Sequence, residues 1–391
     1  MNEPLLAKMP TPTLSRLFLA FFRLGLTAFG GPAMIAYIRE LAVGRERWLA
    51  KEAFQDGVAL CQTIPGATAM QVAAYVGLRV RGVRGAVVSY VGFGLPAFLL
   101  MLLLSTVYTR AHALPVVIAA FSGLQALIVA VVANATLSFG RTTLTSWRQG
   151  VIALMAAALF WMVVHPVLIL LLAALLAMAL PSGQPTPPQA GTSTKIPATF
   201  RPLVCLIGVA AAGFTLLAFF SPKLAQLAML MARIDLIAFG GGFASVPLMF
   251  HEIVEVRGWL NGPTFLDGIA LGQFTPGPIV ITATFVGYLL QGLAGACVAT
   301  GAMFLPSLLL VIGIAPYFSR LRASIWFSRA ISGVLCSFVG LLATVTIRFA
   351  LQVHWDWLHL LLAVGALGAL SRKLDILWVI VAGTVVSLLF L

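Results

Sequence analysis

Residues 273–278 read Gln273-Phe274-Thr275-Pro276-Gly277-Pro278 and sit inside the apolar run 269–290. A run of that length can span a bilayer. Two prolines and a glycine at its centre break the helix, because proline lacks an amide donor and clashes with the preceding turn. Broken backbone is tolerated at membrane depth only where it faces protein or a polar cavity. Pro278 also suits the first turn of a new helix. That helix aims its free amides and positive dipole end at the break, which makes an anion site without a lysine.

The same device occurs earlier as Gln62-Thr63-Ile64-Pro65-Gly66-Ala67. The likeness extends beyond it. Arg23 returns as Arg233, Phe29-Gly30-Gly31 as Phe239-Gly240-Gly241, and Trp48 as Trp259. Asp56-Gly57 returns as Asp267-Gly268, Leu95-Pro96 as Leu305-Pro306, and Gly123 as Gly333. The offset is 210 (233 − 23) or 211 (276 − 65), and ordered matches at one near-constant spacing mark a tandem duplication. Interrupted apolar segments at matching places in two halves point to a transport site between them.

The composition places this duplicated chain in a membrane. It is 61% hydrophobic and only 9% charged, against about 25% charged in soluble domains. Its net charge of +13 is spread singly between apolar runs. That excludes a nucleic-acid face and fits loop charge that sets topology. Cys61, Cys205, Cys297 and Cys336 have no paired spacing, and the five histidines show no metal-ligand spacing. Buried, inert thiols and no metal or cofactor are therefore expected. No removable signal peptide is read at the N-terminus.

The expected fold is an all-α polytopic membrane protein with two homologous halves, an inverted repeat with interrupted helices and about thirteen spans. The first repeat covers 1–180. Its spans are 14–37, the interrupted 54–78, 86–108, 114–139 and two short ones in 150–180 split at His165-Pro166; residues 39–51 form a charged loop. Residues 181–202 are a polar linker and 203–220 a linking span. The second repeat covers 221–391. The odd linking span inverts the second copy. The positive-inside rule then puts the N-terminus in the cytoplasm, with the basic turn Arg79, Arg81, Arg84 on the same side.

These residues resemble the chromate ion transporter family in its long form with two homologous halves. Phe29-Gly30-Gly31-Pro32, Gln62-x-x-Pro65-Gly66, the Gly240–Gly242 triplet, Gln273–Pro278 and the Leu-Pro pairs are similar to that family's motifs. The resemblance covers nearly the whole chain. It implies a secondary transporter in the bacterial inner membrane that moves chromate out of the cytoplasm and confers resistance, with no enzymatic activity. The expected partners are the oxyanion and the lipid bilayer, with a homodimer as an option. The sequence departs from the family pattern at Asp235, where glycine is expected, as at Gly25. It also differs between copies at Thr63-Ile64 and Ala67 against Phe274-Thr275 and Pro278.

Candidate substrate contacts are Arg23, Gly30, Gly31, Gln62, Thr63, Pro65, Gly66, Arg233, Gly240, Gly241, Gln273, Thr275, Pro276 and Gly277. Each arginine lies seven residues before a Gly-Gly pair and shares its helical face. An arginine inside a span is costly, which leaves either an anion contact or snorkelling to the interface. Gln62, Thr63, Gln273 and Thr275 either donate to an oxyanion or satisfy freed backbone. Asp235 is a counter-ion, a proton carrier or a structural partner. Asp56 and Asp267 are coupling groups or helix caps. Two half-helix N-termini, two arginines and one aspartate sum to about +2, which matches a dianion. Sulfate, another tetrahedral dianion, stands as the alternative cargo. A membrane-embedded enzyme lacks any nucleophile–base pair here, and a passive channel fits duplicated breaks less well.

Overall fold

The computed structural model describes residues 11–29, 33–180 and 200–390. The described secondary structure is helical throughout. The first repeat comprises α1 (Leu14–Thr27), α2 (Ala33–Arg39), α3 (Lys51–Thr63), α4 (Thr68–Ala111), α5 (Pro115–Thr143), α6 (Trp147–Trp161) and α7 (Pro166–Ala179). The linking helix is α8 (Phe200–Phe220). The second repeat comprises α9 (Pro222–Ile237), α10 (Gly242–Phe250), α11 (Gly262–Phe274), α12 (Thr282–Ile314), α13 (Phe318–Arg322), α14 (Ile325–Gln352), α15 (Trp357–Ser371) and α16 (Ile376–Phe390). Local chemistry starts several of them. Thr13 accepts from the Arg16 amide and Asn261 from the Thr264 amide, while Pro115, Pro166 and Pro222 occupy first turns where no amide is needed.

Among the described residues, five helical stretches are long and apolar enough to cross a membrane, not thirteen. The difference lies partly in α6, α7, α15 and α16, which are apolar but short, and partly in how the broken segments travel. After its break, the chain beyond α1 returns to the end it started from. Arg16 pairs with Glu46 at 2.8 Å, Arg81 Nε donates to the Pro12 carbonyl at 2.6 Å, and Trp48 stacks on Phe21. α3 then enters, and residues 68–80 run back beside it; a Cβ on Gly57 would meet the Tyr75 ring at 2.2 Å. A polar break with one apolar face is easier to bury as a hairpin than to carry across a bilayer.

α4 itself folds back at Arg81–Gly82, where Gly82 takes φ 62°. Gly77 and Gly85 let the two limbs touch, since a Cβ on either would lie 2.2 Å from the other's carbonyl oxygen. α12 repeats this at Gln291–Gly292, with Gly287 against Gly295 and Thr284 bonded to Thr300 at 2.7 Å. The expected tight turn at Arg79–Arg84 is therefore present. The charged loop expected at 39–51 is partly a π-helical turn, Glu40–Arg45, mirrored by His251–Val256. In each, the amide five residues on takes the carbonyl: Glu46 to Leu41 and Arg257 to Glu252.

The repeats exchange parts. The hairpin α6–α7 packs on α14 of the other repeat, where a Cβ on Gly340 or Gly333 would meet the Ala153 or Ala173 carbonyl at 2.3 Å. The hairpin α15–α16 packs on α5: Ser387 donates to the Ala119 carbonyl at 2.6 Å, and Ser122 bonds His359 at 2.8 Å. α5 and α14 cross between them, and Thr136 bonds its own counterpart Thr346 at 3.1 Å (346 − 136 = 210). Large phenylalanines fill the centre, among them Phe21, Phe93, Phe250, Phe265 and Phe285, all fully buried. Leu99, Leu103 and Val107 face outward, and Trp147, Trp326, Trp357 and Trp378 are exposed near helix ends, as lipid-facing and interfacial positions require. Cys61 and Cys336 are buried, but Cys205 and Cys297 are exposed. The expectation of four buried thiols fails for those two because outward helix faces here are apolar too.

Candidate functional site at the paired helix breaks

Each break loop docks on the other repeat. The Gly66 amide donates to the Ala238 carbonyl at 2.8 Å, and the Gly277 amide to the Ala28 carbonyl at 2.9 Å. Both glycines hold φ near +113° (Gly66 +112°, Gly277 +114°), which only glycine adopts without strain. The carbonyl freed by the first break is used locally, with Gln71 Nε2 donating to Pro65 O at 2.5 Å. Thr63 and Thr275 turn their hydroxyls back onto their own helices, to Ala59 O at 2.6 Å and Gly272 O at 2.8 Å. Thr275 thereby satisfies a carbonyl that Pro276 cannot, one of its two expected readings, while Thr63 bonds back to a carbonyl inside α3.

The first loop lies against the second repeat's glycine break. Gly240 and Gly241 take φ +93° and +87°. A Cβ on Gly241 would stand 3.1 Å from the Thr68 hydroxyl, the first residue of α4. The N-termini of α4 and α10 thus converge, and both carry free amides and a positive dipole end. Gly30 and Gly31, the equivalent pair in the first repeat, lie outside the described residues. Pro65, Gly66, Pro276 and Gly277 are buried at the centre, whereas Gln62 is exposed. Gln273 keeps a buried Nε2 with no hydrogen-bond partner among the described residues.

A cavity of about 320 Å³ reaches this region between α5, α14 and the α9–α10 break. Its wall includes Gly240, Phe239 and Phe139, with Asn134, Ser138 and Thr142 in a stripe along α5. Sequence reasoning missed that stripe. Its signal was polar residues at i, i+4 and i+8 in an otherwise apolar helix, which put them on one face.

The charged candidates are spread out. Asp235 is fully buried and accepts from the Ser307 amide at 2.8 Å and from the Ser307 hydroxyl on both carboxylate oxygens. Arg233 pairs with Glu252, which also holds Arg257. Arg23 is exposed on α1 beside the outward-facing Leu19 and Leu26. The structure therefore brings together the loops, Gly240, Gly241 and Asp235, but neither guanidinium. Asp56 and Asp267 are not caps: Ala50 and Asn261 hold those positions. Instead Asp56 pairs with Arg322 at 3.6 Å, and Asp267 accepts from Tyr108 and Gln125 at 2.8 Å. Both contacts join the two repeats. They lie at opposite ends of α4's second limb, which runs from the Arg81 turn to Tyr108.

The chromate transporter family profile matches this chain twice, at residues 15–178 and 225–388. The chain belongs to the chromate transporter family. The family member of Methanocaldococcus jannaschii described as an uncharacterised transporter is 37% identical over 388 residues, covering 98% of this chain and 96% of its own length. The chromate transport protein of Cupriavidus metallidurans is 32% identical, covering 87% of this chain and 84% of its own. That of Pseudomonas aeruginosa is 31% identical, covering 87% and 82%. No solved structure matches. This chromate transporter family member is a multi-pass, all-α secondary membrane transporter rather than an enzyme, and its two family domains stand 210 residues apart (225 − 15).

Proposed function

We propose that this transporter carries chromate out of the cytoplasm, binding the dianion where the two break loops meet the opposing repeat. The observation that carries this reading is the cross-docking of the loops, Gly66 on Ala238 and Gly277 on Ala28. It supports a site in which two helix N-termini and two glycine-containing loops face the anion without a lysine. The names of the Cupriavidus and Pseudomonas relatives support chromate as the cargo.

Domains at 1–180 and 221–391, joined by the linker 181–202, whose residues 181–199 lie outside the described residues, and by the linking span 203–220 within α8, form an inverted repeat with a cytoplasmic N-terminus in the bacterial inner membrane. Supporting this, α3 begins near the Arg81 turn, while α11 begins beside Tyr108 at the other end of α4. The polar contacts Asp56–Arg322 and Asp267–Tyr108 then close opposite ends of one pathway. Arg23 and Arg233 draw the anion toward the membrane, and Gln273 donates to it. The chain acts alone or as a homodimer.

The test is radiolabelled chromate flux in inverted vesicles, with sulfate competition and an imposed pH gradient. Uptake into inverted vesicles that unlabelled sulfate fails to displace supports chromate export. Displacement by sulfate at equal concentration makes the site a general oxyanion site, and no flux of either ion rejects the proposal.

A further inference from the structure

We propose that Asp235 and Ser307 are positioning residues that hold the first repeat's break loop, a task the second repeat hands to proline. The inference rests on the break loops being the transport site. The two loops share φ through the turn: Gly66 and Gly277 have φ +112° and +114°, and Ala67 and Pro278 after them have φ −74° and −75°, before ψ diverges to 92° and 139°. Besides Thr63-Ile64 against Phe274-Thr275, the loops differ in the amide proton of Ala67, which proline lacks.

A buried amide needs an acceptor. The Ala67 amide finds it in the Ser307 hydroxyl at 3.3 Å. That hydroxyl spends its own proton on Asp235, within 2.8 Å of both carboxylate oxygens. Asp235 also takes the Ser307 amide, and it lies three residues before Ala238, the carbonyl that receives the Gly66 amide. One carboxylate therefore orders both amides of the loop. The other titratable group beside it is Tyr90, whose hydroxyl donates to the Phe304 carbonyl, and no cation pairs with Asp235 among the described residues.

The second loop has no such chain and needs none. The position equivalent to Ser307 is Ala97 (307 − 97 = 210), which meets Gly277 where Ser307 meets Gly66. The position equivalent to Asp235 is Gly25, where a Cβ would strike the Phe93 carbonyl at 2.4 Å. Three positions thus differ together: Ala67, Ser307 and Asp235 in one set, Pro278, Ala97 and Gly25 in the other. The first loop is placed by hydrogen bonds to a carboxylate. The second is placed by two stiff prolines.

The experiment reads the loop directly and transport separately. In a chain with the four cysteines replaced, Thr68→Cys reports loop exposure through its rate of maleimide labelling in vesicles. Asp235→Gly and Ser307→Ala, singly, should each raise that rate by about tenfold, the effect of stranding one buried donor. The triple variant Ala67→Pro, Ser307→Ala, Asp235→Gly should return labelling toward the parent rate. With native cysteines, chromate flux should fall in each single variant, in maximal rate more than in KM, and recover in the triple. If Asp235→Gly fails to insert, recovery of insertion and labelling in the triple supports the proposal. Single variants that label like the parent, or a triple no better than the singles, overturn it. A parent with no chromate flux rejects the transport reading, while the labelling series still decides the role of Asp235.

Discussion

Gly66 has no room for a side chain: its Cβ would lie 1.8 Å from the Ser307 hydroxyl, at a φ that disfavours any other residue. Gly277→Ala would similarly press on Ala97 at 2.9 Å. Gly66→Ala and Gly277→Ala should abolish chromate flux, whereas Gly150→Ala, with open space around it, should leave flux and expression unchanged. Normal flux in Gly66→Ala would remove the loop from the site. The arginines separate differently. Arg233→Ala strips one of two partners from the buried Glu252 and should lower the detergent melting temperature, with Glu252→Gln in the same chain restoring part of it. Arg23→Ala, on an outward face, should insert normally. Its flux, measured at matched expression against Arg23→Lys, tells whether that charge serves the anion.

Among the elements, the exchanged hairpins bear the packing between repeats. Gly333→Leu would drive a side chain into the Ala173 carbonyl of α7, an overpacking cost of about 1–3 kcal/mol or more. A Cβ on Gly365 of α15 meets nothing within 4 Å, and Gly365→Leu on that exposed face should be neutral. Thermal unfolding in detergent compares the two, and equal melting temperatures would deny that α7 is seated on α14. Asp356 starts α15 by accepting the His359 amide and imidazole at 2.8 Å, and those hydrogen bonds hold its carboxyl below the usual range. A depressed folded value stabilises above the unfolded one and is lost as pH falls through the folded one. The protection of α15 amides, with the intrinsic exchange rate divided out, should therefore fall below about pH 4 in the parent, and Asp356→Ala should show the lower protection at neutral pH.

The whole molecule is built from two tandem repeats that meet where Thr136 touches its counterpart Thr346. A reporter fused after Thr194 should read cytoplasmic and one fused after Leu391 external. Both on one side would mean an even number of crossings between them and would end the inverted-repeat reading. Much of this order was legible in the chain itself. The 210-residue spacing, the glycine and proline breaks, the split at His165-Pro166 and the turn at Arg81–Gly82 follow from local chemistry, because proline and glycine act on the backbone wherever they stand. Membership of a duplicated transporter family followed from the same residues. Only the tertiary structure decided which broken segments turn back, that each loop and each terminal hairpin packs on the other repeat, and that Asn134, Ser138 and Thr142 line a cavity. It also decided that Arg233 faces Glu252 while Asp235 faces Ser307. Those outcomes depend on which surfaces meet across two hundred residues of chain, and in an almost uniformly apolar sequence the pattern of hydrophobicity does not distinguish a face turned to protein from a face turned to lipid.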